Sequence, residues 1–135
     1  MRIFALALVG LITTSCTSGS LVGNWKISQR YDYFYEKWEP VNDDSYIQFG
    51  STGKFKVFGN KELKEGSYLI DETGVPSRLV LTDDQGESVN AIFQLDGNII
   101  IMKAFRNGNQ NSQFPVGFDP RGEETGIDLF TLERN

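Results

Sequence analysis

The sequence predicts an all-β protein built as an eight-stranded, antiparallel, up-and-down barrel. Three observations carry that expectation. Apolar and polar residues alternate along most of the chain, the period of a half-buried strand. Turn-forming clusters interrupt the alternation at short, even spacing. No stretch of twelve or more residues holds a convincing helical period. Eight strands with one apolar face each are best satisfied by closure, which removes exposed sheet edges.

The strands follow in order. The first covers about 21–31, with Gly23, Trp25, Ile27 and Tyr31 on one face and Lys26, Ser28 and Arg30 on the other. "SYIQF" (45–49) and "KFKVF" (54–58) are the second and third, joined by the hairpin signal "GSTG". "EGSYLI" (65–70) is the fourth, followed by the turn "DETGVP". "SRLVLT" (77–82) and "SVNAIFQL" (88–95) flank "DDQG", and in the latter Val89, Ala91, Phe93 and Leu95 point one way. "DGN" turns the chain into "IIIMKA" (99–104), and "GIDLFTLER" (126–134) closes the set. Two segments break the pattern. Residues 31–44 are rich in aromatics, and 105–124 form a long polar loop. Such loops are usually functional or mobile.

The first fifteen residues read as a secretory signal. Arg2 gives a positive start, and 3–12 is an apolar run too short to span a bilayer with normal flanks. Small residues then precede Cys16, the only cysteine of the 135 residues. This arrangement resembles the bacterial lipobox, in which the thiol carries diacylglycerol and becomes the first residue of the mature protein. Thr13 stands where an aliphatic residue is usual. The competing reading is an ordinary signal peptide with a stray cysteine. The organisation expected is therefore a signal at 1–15, a lipid-anchored tether at 16–20 and a barrel domain at 21–135. The tether lacks acidic residues, which favours a periplasmic face, with the membrane contacted through the lipid anchor alone.

Composition excludes several functions. The chain holds 13 basic and 18 acidic residues, and only Arg2 lies before Cys16, so the net charge falls from −5 to −6 without the signal. An acidic domain with no basic run is a poor nucleic-acid binder, because phosphate neutralisation supplies most such affinity. There is no histidine. Ser-His-Asp and Cys-His catalysis and the usual zinc sites cannot be built. Asp43-Asp44 and Asp83-Asp84 lack the oxygen spacing and glycine of a calcium loop and read as solvated turns. "RNGNQN" (106–111) lacks the lysine and phosphate-loop pattern of a nucleotide cradle. No catalytic residue, cofactor or metal is expected.

Several segments, in order, resemble one family. "LVGNWKI" (21–27) looks like the L-x-G-x-W-K opening of a bacterial lipocalin-like domain family of unknown function, well represented in planctomycetes. "EGSYLIDETGVPSRLVLT" (65–82), "AIFQLDGNIIIM" (91–102) and "LFTLER" (129–134) are similar to its middle segment, its aromatic strand with Asp-Gly turn, and its final strand. An Arg-Pro pair usual before that strand is replaced here by Phe114-Pro115. The resemblance implies a calycin-type barrel. It also implies that Gly23 and Trp25 close one end, with Arg134 laid across the indole. Alternation alone also puts Arg134 on the face of Phe130 and Leu132.

The candidate ligand site is aromatic: Tyr31, Tyr33, Phe34, Tyr35 and Trp38, joined by Phe105 where the long loop begins. Rings there could stack on an apolar ligand while hydroxyls orient it. The alternative is that they simply fill the barrel. The function expected is non-enzymatic binding of a small apolar or amphipathic ligand by an envelope lipoprotein. The alternative is a protein-interaction module of the envelope, an assembly factor or an inhibitor of a secreted enzyme.

Overall fold

The computed structural model describes residues 21–59, 61–105, 114–119 and 127–135. Nine strands form there: β1 (Gly23–Asp32), β2 (Lys37–Pro40), β3 (Tyr46–Phe49), β4 (Lys54–Gly59), β5 (Glu62–Asp71), β6 (Ser77–Asp83), β7 (Ser88–Asp96), β8 (Ile99–Phe105) and β9 (Ile127–Arg134). All pairings are antiparallel. β1 and β3 to β9 pair in chain order, and β1 pairs β9, so eight strands close into an up-and-down barrel consistent with a calycin-like fold. β2 is an extra strand. It continues the line of β3 along the same edge of β1, pairing Gln29 to Asp32 after β3 has paired Gly23 to Lys26. The aromatic segment expected to be irregular is thus a hairpin, β1–β2, standing beyond the barrel wall.

The core is the inward face of the alternation. Trp25, Ile27, Ile47, Phe49, Phe55, Leu79, Ala91, Phe93, Ile100, Met102 and Leu132 are buried in one cluster. One end is closed. Trp25 is wholly buried and donates its Nε1–H to Leu21 O at 2.9 Å. Arg134 is its register partner, and the guanidinium carbon lies 4.2 Å from the indole centroid. Arg134 Nη1 also donates to Val22 O at 3.2 Å. Gly23 has a φ of +139°, and a Cβ there would stand 3.0 Å from Arg134 Nη1. Glycine meets both demands, since it bears neither the left-handed penalty nor a side chain in the guanidinium's way.

A β-bulge changes what β1 presents further up. Ile27 pairs Leu132, but Gln29 pairs Thr131, so Ser28 is the extra residue. Its hydroxyl meets the Thr131 hydroxyl at 2.8 Å. An extra residue reverses the parity of everything beyond it. Arg30 therefore pairs inward-facing Phe130 and takes the interior side, and Tyr31 takes the outer side. This corrects the expectation that Tyr31 shares a face with Trp25 and that Arg30 opposes it.

Residues 114–119 of the segment before β9 lie against one outer face of the barrel. Arg78, Ile92, Lys103 and Leu129 stand in register across β6 to β9, on the face away from the core. Ile92, Lys103 and Leu129 are nevertheless buried. Phe114 stacks on Arg78, with ring centroid and guanidinium carbon 4.6 Å apart, and Pro115 is buried. The Lys103 ammonium donates to Asp119 O at 2.8 Å. Residues 114–119 therefore run along the outer wall. A lysine buried there is tolerable because it is hydrogen-bonded.

Candidate functional site

The barrel interior is graded. Towards the Trp25 end it is filled by rings: Trp25, Phe49, Phe55 and Phe93 are buried, and Tyr68 packs edge-on to Phe49 at 5.0 Å. The Tyr68 hydroxyl donates to Gly50 O at 2.6 Å, and burial pushes its pKa up. Towards the other end the inward positions carry smaller or unbranched side chains: Ile27, Ile47, Val57, Leu81, Val89, Met102 and Ala104, with Phe130. They leave a cavity of about 320 Å³. That is at the small end of ligand pockets, which span roughly 300–1,000 Å³.

The rim of this cavity is polar. Arg30, Asp43, Ser45 and Asp128 stand around it. Asp43 Oδ1 accepts the Ser45 N–H at 3.0 Å. Hydrogen bonds from the Ser45 hydroxyl and N–H hold the Asp43 carboxyl below its ordinary range, and the positive charges of Arg30 and Lys26 lower it further. Asp43 is thus a carboxylate at neutral pH. Lys26 steadies the break between β2 and β3 from outside, with Nζ within 3.4 Å of both Val41 O and Asp43 O. Among the described residues no group of three or more His, Cys, Asp and Glu could hold a metal ion.

The residues singled out from sequence fall into two separate places. Gly23, Trp25 and Arg134 meet at the closed end. Tyr31, Tyr33 and Trp38 meet on the β1–β2 hairpin, where the Tyr31 ring lies edge-on to Tyr33 at 5.0 Å and to Trp38 at 5.6 Å, while Tyr35 packs edge-on to Phe34 at 4.8 Å. None of them lines the cavity. The hairpin turn is fixed by Asp32, whose Oδ1 accepts Phe34 N at 2.9 Å and Tyr35 N at 3.1 Å. That turn holds Phe34 82% and Tyr35 65% exposed. Phe105 ends β8 opposite Ile127, on the side away from inward-facing Ala104 and Asp128. Cys16 lies outside the described residues. Sequence reasoning missed Arg30, Asp43, Ser45 and Asp128. Arg30 reaches the rim only through the bulge at Ser28, and "ISQR" carries no glycine or other mark of one.

No family model, curated protein or solved structure matches the chain. The arrangement itself is what bears on function: a barrel closed at one end, hollow and apolar towards the other, with a charged rim.

Proposed function

We propose that the protein is a non-enzymatic lipoprotein of the cell envelope that holds a small apolar or amphipathic ligand in its barrel. The aliphatic-lined cavity of about 320 Å³ is the observation that carries this reading. The ordered motifs from "LVGNWKI" to "LFTLER" add a resemblance to a bacterial lipocalin-like family. A cavity-filling variant tests it. Ala104→Phe puts a ring into the hollow and is expected to abolish binding of an apolar fluorescent probe while keeping the melting transition within a few degrees. Probe binding that survives Ala104→Phe at wild-type affinity would remove the interior site from consideration.

Anchoring rests on Cys16 and the apolar run before it. Residues 16–20 reach at most about 18 Å when fully extended. Leu21 is buried at the Trp25 end, so a lipid on Cys16 would hold the closed end nearest the membrane and turn the cavity away from it. Cys16→Ser is expected to move the protein from the membrane to the soluble fraction. A wild-type protein without acyl mass by intact mass spectrometry would sink the anchor.

A second reading is favoured by the exposed rings of Phe34 and Tyr35 on the projecting hairpin. Exposed aromatic clusters of this kind suit protein contacts. Native mass spectrometry of the protein purified from its host separates the two: a retained small molecule supports the first, and a stoichiometric protein partner supports the second.

A further inference from the structure

We infer that the ligand is a carboxylate-headed amphiphile, with its apolar chain in the barrel and its head on the Arg30 guanidinium. The inference rests on the binding reading above and names the chemistry at its mouth. The Ser28 bulge takes Arg30 from the outer face of β1 and sets it on the cavity rim, beside inward-facing Phe130. The side chains just inside it are apolar: Ile27, Met102, Ala104 and Phe130. An apolar pocket with one polar anchor at its mouth orients an amphiphile with its chain inward.

The other charged groups of the rim decide the head. Asp43 is already committed to Ser45 by hydrogen bonds, and Asp128 is engaged as well. Arg30 differs: among the described residues its guanidinium makes no ion pair or hydrogen bond. Its planar fork matches a carboxylate with two parallel N–H···O bonds. The acidic neighbours also limit the charge that can sit there. A dianionic phosphate beside Asp43 and Asp128 would meet two carboxylates, and each added negative charge at the same short range adds repulsion. A singly charged head keeps the attraction to Arg30 with less of that repulsion.

The test compares two ligands of equal chain length, decanoate and 1-decanol, by displacement of an apolar fluorescent probe at neutral pH. Wild type is expected to bind decanoate about three- to fivefold more tightly than decanol, the size of an ion pair to an exposed guanidinium added to the same apolar burial. Arg30→Gln is expected to erase that preference while still binding decanol, which also shows that the variant is folded. Arg30→Lys keeps the charge without the fork and should retain only part of the preference. Equal binding of both ligands by wild type, or a decanoate preference that survives Arg30→Gln, overturns the head-group assignment and leaves the barrel site standing. Binding of neither ligand by wild type overturns both.

Discussion

Trp25→Ala is expected to destabilise the domain by about 3–5 kcal/mol, the cost of truncating a large, fully buried aromatic. The ring is wholly buried, its N–H is paired with Leu21 O, and Arg134 covers one face. Removing it leaves a hole that the closed barrel cannot collapse around, because β1 is held on both edges by β3 and β9. It also strips the guanidinium of its stacking partner. That contact is worth about 0.5–2 kcal/mol by itself. Arg134→Ala should therefore cost less than Trp25→Ala, and the double variant less than the sum of the two, since both remove the same contact. Urea melts of the four proteins of the cycle give the coupling directly. Strictly additive losses would mean that the stack contributes nothing. Arg134→Lys is a useful companion: it keeps the charge, but an ammonium cannot lie flat on an indole.

How far the sequence was legible follows from what kind of signal each feature leaves. Closure of eight strands was readable because period-two alternation and turn residues are local and repeated. The Trp25–Arg134 stack was implied by the lipocalin-like resemblance, and alternation added only that Arg134 shares its parity with Leu132 and Phe130 on β9. Parity on β1 failed at Ser28, because a bulge is chosen by cross-strand pairing with Thr131 rather than by any residue of its own. One extra residue then carried Tyr31 outward and Arg30 inward. The ninth strand was hidden too. β2 holds only Lys37–Pro40 and ends in a proline, which local reading assigns to a loop. The covering of the outer wall by 114–119 left two hints, the apolar Ile92 and Leu129 on the outward face, although Lys103 between them argued the other way.

Gly66→Ala is expected to be as damaging in its own way, with a loss of about 3 kcal/mol or more, at the upper end of what overpacking costs. The reason is the path of β5. From Glu62 to Glu65 this strand pairs β4 but not β6, and the ladder to β6 begins only at Gly66, opposite Asp83. Gly66 is the point where β5 joins the barrel wall, and the two backbones press together there. A Cβ would lie 1.9 Å from Thr82 O, 2.7 Å from Asp83 Cα and 2.8 Å from Thr82 C. All three atoms are main chain, so no rotamer change relieves the contact. The strands must part, and the bond from Asp84 N to Glu65 O, 3.0 Å long, lies next to the gap that would open. Gly74→Ala is the matching control. It has nothing within 4 Å of the added methyl, so it should change stability by less than about 0.5 kcal/mol. Thermal or urea melts of the two variants side by side decide the matter. If Gly66→Ala unfolds no more easily than Gly74→Ala, then β5 can swing away from β6 without loss. In that case the closure of the barrel wall at this corner is looser than its backbone spacing implies.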